Sequence, residues 1–556
     1  MTGHDAVVAA AEAWRDQDPD PRTRDELDRL LEAARGDDET ARTALAERFA
    51  GRLQFGTAGL RGELGAGPTR MNRVLVAQAA AGFAAFLRSR EERPSIVVGY
   101  DGRTNSDVFA RDTVEVMAAA GVAATLLPRA LPTPVLAFAV RHLDASAGVM
   151  VTASHNPAAD NGYKVYLGGT DAGSQIVAPV DAEIAGHIEE AARGSVAELP
   201  RSDDWRTAGE DVVDAYVDRT AALAGTAARL RQPRVVHTAM HGVGWEVARR
   251  VFARAGFTEP VPVAEQAAPD PAFPTVAFPN PEEPGALDLA FATAERVGAD
   301  LVVANDPDAD RLAVAVPTAS GWRRLSGNEV GQLLGWRAAE RAVAAGRHGA
   351  LAASIVSSPA LREVAHQHGL DHVDTLTGFK WVSRVDGLLY GYEEALGYLV
   401  DPEVVRDKDG ISAAVDLLAL ATELHDAGSS ISERLVAFDE RFGAFASAQV
   451  SIRVTDLRRI DELMARLRET PPTHVGSRAV DCTDDLREGS DEFAPSDVLR
   501  LWTTDGSRVV VRPSGTEPKL KVYIDASSTE GDAATRRATA EAAVADLEAG
   551  ARALLA

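Results

Sequence analysis

Residues 148–166 read GVMVTASHNPAADNGYKVY. The stretch begins as a run of small apolar residues, which is typical of a buried strand, and breaks at Ser154 into the polar sequence Ser-His-Asn-Pro. Similar apolar runs alternate with Ala-rich helical stretches along much of the chain, for example at 95–101 and 299–306. This alternation predicts an α/β protein whose polar loops lie at the ends of buried strands.

The length of 556 residues predicts three or four domains. The first fifty or so residues are polar and helical in pattern, which indicates an N-terminal extension. The last unit has strands on both sides of helical stretches and is predicted to be an α+β domain, unlike the three α/β units before it. Loop-rich boundaries place the four domains at 1–205, 206–319, 320–430 and 431–556.

Charge and cysteine content exclude several classes of protein. The net charge is −25 with no basic stripe, so we expect no nucleic-acid partner. The single cysteine, Cys482, excludes an intrachain disulfide and a multi-cysteine metal cluster. No apolar run reaches the ~20 residues that span a bilayer, and no apolar signal core is present, so we expect no membrane segment and a cytoplasmic location. Oligomeric state is left open.

Lysine is rare in this chain, since only five of the 58 basic residues are lysine. An ammonium group is a compact donor whose pKa can be tuned, whereas a guanidinium is a planar fork that stays protonated. Positions that have lysine in a chain that otherwise uses arginine are therefore candidates for catalytic or binding roles. The five are Lys164, Lys380, Lys408, Lys519 and Lys521.

The sequence TASHNP allows two readings. Ser154 could cap a helix before an Asn-Pro turn, which is the common role of such a serine. A serine hydroxyl at a strand end can also accept a phosphoryl group when a base or a metal ion assists it. The motif alone does not decide between them.

The sequence NDPDADR directly follows an apolar run and places Asp306, Asp308 and Asp310 at alternate positions. Three carboxylates close together need a cation, and oxygen ligands suit Mg²⁺ or Ca²⁺. An EF-hand is excluded because Arg311 stands where that loop needs glycine and Pro317 where it needs glutamate. A solvated acidic turn is the alternative to a metal site.

Two later stretches carry polar groups suited to a sugar phosphate. The sequence YGYEEALG contains Glu393 and Glu394, whose carboxylates can accept hydrogen bonds from neighbouring hydroxyl groups. The sequence RPSGTEPK lies between two predicted strands and combines two cations, two hydroxyls and a glycine, which predicts an anion-binding nest.

These motifs resemble the α-D-phosphohexomutases, the phosphoglucomutase/phosphomannomutase superfamily. TASHNP…NGYK, DPDADR, GYEEALG and RPSGTEPK occur in the order seen there, and FGTAGLRG and PNPE are also similar to family motifs. The resemblance extends from Phe55 to Lys519 and implies four domains around a central cleft, three related α/β units with mixed sheets and a C-terminal α+β lid.

The resemblance also implies a role for each matching residue. Ser154 carries the phosphoryl group and completes a Mg²⁺ site formed by Asp306, Asp308 and Asp310, while Lys164, Arg61, His155 and Arg311 lie beside the reacting hydroxyl. Glu393, with Glu394 next to it, belongs to the sugar loop. Further substrate contacts are implied for Thr57, Thr377, Lys380 and Lys408, and contacts to the distal phosphate for Arg512, Ser514, Gly515, Thr516 and Lys519.

The implied reaction interconverts a sugar 1-phosphate and its 6-phosphate through a phosphoserine enzyme and a sugar bisphosphate such as glucose 1,6-bisphosphate. One departure concerns the sugar, because Ala395 stands where glucose- and mannose-specific relatives usually have serine. YEEALGY is more similar to the branch with phosphopentomutases and glucose 1,6-bisphosphate-forming enzymes. Glucose is the leading substrate, with mannose and a pentose phosphate as alternatives. A non-catalytic sugar-phosphate sensor and a phosphatase using Ser154 are the other hypotheses.

Overall fold

The structure is a computed structural model and describes residues 3–36, 38–56, 59–454, 458–514 and 519–555. The chain divides into two compact units, Met1–Arg324 with Asp401–Ala419 and Leu325–Val400 with Leu420–Ala556. Three of the predicted site residues, Thr57, Gly515 and Thr516, lie outside the described residues.

The N-terminal extension is helical, as predicted. Asp20 and Asp38 stand at the N-termini of the second and third helices and accept hydrogen bonds from backbone N–H groups there. Leu27 and Leu31 of the second helix are buried against the first sheet domain's core. The helices are α1 (Gly3–Gln17), α2 (Pro21–Arg35) and α3 (Glu39–Arg48).

The first sheet is mixed. Its strands run in the order β1-β5-β4-β2-β3-β7, with β6 beside β5; β4, β2, β3 and β7 are parallel, and β5 is antiparallel to its neighbours. The elements are β1 (Leu60–Glu63), α4 (Arg73–Arg90), β2 (Ser95–Tyr100), α5 (Ser106–Ala119), β3 (Ala123–Leu126), α6 (Thr133–His142), β4 (Ala147–Val151), β5 (Asp160–Leu167), β6 (Ser174–Gln175), α7 (Val180–Ala191) and β7 (Arg206–Thr207).

The second sheet repeats this plan with the order β12-β11-β10-β8-β9. Strands β10, β8 and β9 are parallel, with β9 at the edge of the sheet, and β11 is antiparallel to β10. The elements are α8 (Glu210–Ala221), β8 (Val235–Thr238), α9 (Gly244–Ala255), β9 (Val261–Pro262), α10 (Asp288–Val297), β10 (Leu301–Ala304), β11 (Ala313–Thr318) and β12 (Gly321–Arg324).

The third sheet, in the second unit, has the order β14-β13-β15-β16, with three parallel strands and an antiparallel β16. The elements are α11 (Gly327–Ala344), β13 (Ala350–Ser354), α12 (Ala360–His368), β14 (Asp371–Thr375), α13 (Phe379–Val382), β15 (Leu388–Glu393), β16 (Gly397–Leu399), α14 (Gly410–Asp426) and α15 (Ile431–Phe442). Residues of α14 up to Ala419 belong to the first unit.

The C-terminal sheet differs because all its strand pairs are antiparallel, in the order β17-β22-β21-β20-β19-β18. The helix α17 packs on β17 and β22. The elements are β17 (Ala444–Arg453), α16 (Arg458–Glu469), β18 (His474–Val475), β19 (Arg478–Asp485), β20 (Leu499–Thr503), β21 (Arg508–Pro513), β22 (Lys519–Ser528) and α17 (Ala533–Leu555).

The predicted fold class is confirmed: three mixed α/β sheets precede an antiparallel α+β domain. None of the described helices has the length and apolar character needed to cross a bilayer. Two strand ends position the predicted chemistry. Ser154 follows the end of β4 at Val151, and Asp306 follows the end of β10 at Ala304, the edge where α/β sheets present their functional loops.

Two glycines on facing helices give a matched test of the packing of α4 against α7. A Cβ at Gly82 would lie 2.5 Å from backbone atoms of Ile188, whereas a Cβ at Gly186 would meet nothing within 4 Å. We expect Gly82→Ala to lower the free energy of unfolding by about 2 kcal/mol through overpacking. Gly186→Ala should raise it by about 0.5 kcal/mol through helix propensity. Thermal unfolding of both variants measures this, and equal shifts would contradict the described packing.

Candidate active site

The serine loop connects β4 to β5, and Ser154 is buried within it. Its backbone has a left-handed conformation with a φ of 52°, and its N–H donates a 2.8 Å hydrogen bond to Thr152 Oγ1. The Ser154 hydroxyl donates a 2.8 Å hydrogen bond to Asp306 Oδ2. The sequence NDPDADR and the sequence TASHNP, which lie some 150 residues apart, therefore meet at this oxygen.

The three aspartates converge in the tight loop after β10. One carboxylate oxygen from each of Asp306, Asp308 and Asp310 lies within 4.8 Å of the others, and all three residues are buried. Among the described residues, Asp308 Oδ1 and Asp310 Oδ1 accept no hydrogen bond. Buried carboxylate oxygens without donors are the ligands that a divalent cation requires, so the donor set fits such an ion.

Electrostatics explains why this cluster needs cations. Burial, together with the negative charges of Asp308 and Asp310, raises the pKa of Asp306 well above its usual range. For Asp310, burial also acts to raise the pKa, but the charges of Lys164 and Lys408 outweigh it and the pKa is lowered. Lysines within the protein thus already neutralise part of the cluster.

Lys164 projects from β5 into the aspartate cluster. Its Nζ donates hydrogen bonds of 2.7 Å to Asp308 Oδ2 and to Asp310 Oδ2. Lys408 approaches from the segment Asp401–Ala419, and its Nζ lies 3.4 Å from Asp310 Oδ2. Burial acts to lower the pKa of Lys164, but the two carboxylates raise it above the usual value. Both of these predicted lysines are at the site.

The residues around Ser154 and the three aspartates, here called the first group, also include Arg61, His155 and Arg311. Arg61, on β1, donates a hydrogen bond to Asn156 Oδ1 at 3.4 Å. The Nε of Arg311 lies 3.9 Å from Asp306 Oδ2 and 3.8 Å from Asp310 Oδ1. His155 Nδ1 lies 3.5 Å from Ser154 Oγ. Burial and the charges of Arg311 and Arg61 lower the pKa of His155 well below its usual value, so the ring is neutral at pH 7.

Two residues at the site were not predicted from the sequence. Thr133, at the start of α6, donates a 2.6 Å hydrogen bond to Asp308 Oδ2, and its N–H donates to the Asp308 carbonyl at 2.9 Å. Asp407 accepts hydrogen bonds from Tyr166 at 2.9 Å and from Gln175 at 2.7 Å, and Asp407 Oδ1 lies 3.6 Å from the Nζ of Lys408. Neither residue belongs to one of the motifs named above.

Neighbouring backbone packs closely against the aspartate loop. A Cβ at Gly242 would lie 2.2 Å from Pro307, and one at Gly410 would lie 2.1 Å from the Arg311 carbonyl oxygen. Val243 N–H donates to the Pro307 carbonyl at 2.8 Å. Glycine is required at both positions because any side chain would displace the loop that holds the carboxylates.

In the second unit, the sugar-loop residues form their own group. Glu393 Oε1 accepts a 2.7 Å hydrogen bond from the N–H of Gly378, in the loop before Lys380. The hydroxyl oxygen of Thr377 in that loop is buried and has no hydrogen-bond partner among the described residues. Glu394 Oε2 accepts from Ser354 at 3.2 Å and from Ser357 at 3.1 Å.

Of the predicted phosphate loop, Arg512 belongs to β21 and Lys519 begins β22. Ser514 N–H donates a hydrogen bond to the Lys519 carbonyl at 2.8 Å. Burial together with the charge of Glu394 raises the pKa of Tyr523, while the charge of Arg512 acts to lower it. The arginine of the phosphate loop and the carboxylates of the sugar loop thus influence the same tyrosine.

Comparison with known proteins identifies the family. Four models of the phosphoglucomutase/phosphomannomutase family match the chain: alpha/beta/alpha domain I at 52–194, domain II at 214–321, domain III at 326–440 and the C-terminal domain at 450–542. A family protein from Burkholderia thailandensis has a solved structure with a TM-score of 0.67, at 21% identity over 90% of this chain and 96% of its own. That likeness shows the fold.

Two curated relatives cover most of the chain. A protein named probable phosphomannomutase, from Haemophilus influenzae, is 52% identical over 84% of this chain and 95% of its own length. A phosphopentomutase from Homo sapiens is 35% identical over 95% of this chain and 93% of its own. The chain therefore belongs to the phosphoglucomutase/phosphomannomutase family, and the resemblance noted in the sequence is confirmed. It is a phospho-sugar mutase, and thus an isomerase.

A binding measurement tests the aspartate cluster directly. We expect Asp308→Asn to weaken Mg²⁺ binding by at least about tenfold, since loss of even a supporting partner of a metal ligand costs that much. Asp288→Asn, which removes the same charge from the exposed first turn of α10, is the matched control and should bind normally. Titration calorimetry of each purified variant gives the affinity. Unchanged binding by Asp308→Asn would move the metal site elsewhere.

Proposed function

We propose that this chain interconverts hexose 1-phosphate and hexose 6-phosphate, with Ser154 carrying the transferred phosphoryl group. One observation carries the proposal: the Ser154 hydroxyl lies 2.8 Å from a carboxylate of a buried three-aspartate cluster that Lys164 also contacts. Phosphoryl transfer depends mainly on positioning and charge neutralisation, and this cluster supplies both.

The proposed reaction has two balanced transfers. In the first, the P–O bond to phosphorylated Ser154 breaks while a P–O bond forms to a free hydroxyl of the sugar monophosphate. The sugar hydroxyl loses its proton and the freed Ser154 Oγ gains one, and the bisphosphate that results turns end for end. In the second, the other phosphoryl group is transferred to Ser154 Oγ, which loses its proton, and the released sugar oxygen gains one. The bisphosphate, for example glucose 1,6-bisphosphate, is also the proposed activator because it restores the phosphoserine.

Residues of the first group have distinct proposed tasks. Lys164, a buried ammonium, would give a proton to the oxygen that loses the phosphoryl group and would then take up the proton of the hydroxyl that accepts it. Arg61 and Arg311 stabilise the charge of the transferring group, and neutral His155 orients the serine oxygen. Mg²⁺, held by Asp306, Asp308, Asp310 and Ser154, would neutralise the phosphoryl charge when bound.

Residues of the second unit are proposed to bind the rest of the substrate. Glu393 and Glu394 would accept hydrogen bonds from the sugar hydroxyls, and the partnerless Thr377 hydroxyl supports a ligand contact at that loop. Lys408, from the first unit, would also contact ligand. The remaining proposed contacts are Lys380 to the sugar phosphate, and Arg512, Ser514, Gly515, Thr516 and Lys519 to the phosphate that is not being transferred.

Two observations bear on the choice of sugar. The relative named probable phosphomannomutase is more similar in sequence than the phosphopentomutase, which favours a hexose. The pentose remains the second candidate because Ala395 lacks the hydroxyl of the usual sugar loop and a phosphopentomutase matches 95% of the chain. Small sugar phosphates are the proposed partners, and the four domain boundaries and the cytoplasmic location stay predictions.

Removing the nucleophile tests the proposed chemistry. We expect Ser154→Ala to lower turnover by at least about a thousandfold, because no oxygen remains to carry the phosphoryl group. The intact mass of the variant should lack the phosphoryl group that we expect on the protein with its original sequence. Ser195→Ala, which removes a partly exposed serine at the N-terminus of a short 3₁₀ turn, is the control and should keep both. Full activity of Ser154→Ala would refute the nucleophile assignment.

A substrate panel decides the sugar. We expect kcat/KM for glucose 1-phosphate or mannose 1-phosphate to exceed that for ribose 1-phosphate by about tenfold or more, since one carbon unit more or fewer in a binding pocket changes kcat/KM by about 10–200-fold. The assay contains Mg²⁺ and glucose 1,6-bisphosphate and follows both isomer and free phosphate. A preference for ribose would assign the pentose reaction. Free phosphate formed faster than isomer would indicate a phosphatase.

A further inference from the structure

Arg103 is a buried arginine outside the motifs and groups described so far. It lies in the loop after β2 and is 4% exposed. Its guanidinium donates hydrogen bonds to four backbone carbonyl groups, three in the loop between β4 and β5 and one at the first residue of β5. These are Ser154 at 2.6 Å, Asn156 at 2.6 Å, Pro157 at 2.8 Å and Asp160 at 3.1 Å.

The position of Arg103 is itself fixed from several sides. The backbone N–H of Arg103 donates a hydrogen bond to Asp101 Oδ1 at 3.0 Å. The other oxygen of that carboxylate lies 3.5 Å from the Nε of the Arg103 side chain. The guanidinium carbon lies 4.9 Å from the centre of the Phe273 ring. At the neighbouring Gly102, a Cβ would lie 2.9 Å from Pro269. A planar group held by an ion pair and a ring face keeps its donors in one orientation.

The conformation of Ser154 makes this support necessary. A residue other than glycine at a φ of 52° is in a sparsely populated region and persists only where the surroundings hold it. The carbonyl of Ser154 itself is one of the four that Arg103 binds. If that bond were lost, rotation of the backbone would move Oγ away from Asp306, which it contacts at 2.8 Å.

We propose that Arg103 is a positioning residue that clamps the serine loop by its carbonyl groups and keeps Ser154 Oγ in place for phosphoryl transfer. This inference rests on the proposed function. The serine must present the same oxygen twice in each cycle, once as phosphoryl donor and once as acceptor. A clamp on the backbone acts equally in both states, because it binds carbonyls rather than the phosphoryl group. Lysine cannot replace it, since an ammonium cannot present two parallel pairs of donors to four carbonyls.

A purely structural arginine makes different predictions, and Arg73 provides the comparison. Arg73 donates two 2.7 Å hydrogen bonds to the buried Asp112 in the same sheet domain and does not contact the serine loop. Replacing either arginine by lysine removes the hydrogen bonds that two nitrogens of one guanidinium donate. The guanidinium is buried in Arg103 and partly buried in Arg73. Loss of thermal stability is expected for both variants. Loss of turnover is expected for Arg103→Lys alone.

The experiment compares Arg103→Lys, Arg73→Lys and the unmodified protein in Mg²⁺ with glucose 1,6-bisphosphate. For Arg103→Lys we expect kcat to fall by about a hundredfold, the order that an ångström-scale misplacement costs, with KM changed less than about twofold. The ³¹P resonance of the phosphoserine should also shift or broaden, because the loop no longer has one conformation. Asp101→Asn, which keeps Arg103 but removes its ion pair, should change kcat and the resonance in the same direction and by less.

Each outcome decides the matter. Unchanged kcat and an unchanged phosphoserine resonance in folded Arg103→Lys would overturn the inference, as would equal kcat losses in the Arg103 and Arg73 variants. If Arg103→Lys does not fold, Asp101→Asn decides by the same two readouts. Failure of the proposed function is distinguishable, since the unmodified protein would then show no isomer formation at all.

Discussion

The repulsion among Asp306, Asp308 and Asp310 is the constraint on which the rest of the first unit depends. Their carboxylates are buried within 4.8 Å of one another, where like charges interact far more strongly than in water. The cations that offset this repulsion come from distant parts of the sequence: Lys164 from β5 and Lys408 from the segment Asp401–Ala419. The first unit is therefore fully stable only when these segments come together. The contacts that assemble the aspartate site are thus the same contacts that stabilise the fold of the first unit.

The same loops carry unfavourable backbone conformations. Ser154 and Ala309 both have left-handed φ values, of 52° and 55°, and so do Met240 and His241 in the loop beside them. Such residues persist where neighbouring structure over-determines them. Here the close approach of Gly242 to Pro307 and the bond from Val243 to the Pro307 carbonyl supply that restraint. Strain in the serine and aspartate loops is thus balanced by dense packing around them, which also leaves the Ser154 hydroxyl little freedom.

Local patterns predicted the sheets and the chemical motifs, while contacts over long separations escaped prediction. The alternation of apolar runs and helices indicated the α/β units, and the turn residues of NDPDADR indicated converging carboxylates. Nothing near Thr133 indicates that its hydroxyl will bond to Asp308, because only the packing of α6 beside the aspartate loop creates that contact. Asp407 likewise reads as one charge in a polar loop until Tyr166 and Gln175 are seen to bond to it. The left-handed backbone conformation of Ser154 could not be predicted from the sequence either, because the same residues equally suit a helix cap.

The structure gives a physical reason for the lysine at position 164. Many ion pairs at the surface of this protein use arginine, for example Arg129 with Glu210 and Arg90 with Glu183. At the aspartate cluster, by contrast, one Nζ of Lys164 lies 2.7 Å from oxygens of two different carboxylates. A compact ammonium can sit between two carboxylates in this way, whereas a guanidinium spreads its charge over a plane that the buried space must also hold. At position 164 the sequence therefore keeps the compact cation that two converging carboxylates require, and a compact proton donor is also what the proposed phosphoryl transfer between a serine and a sugar would use.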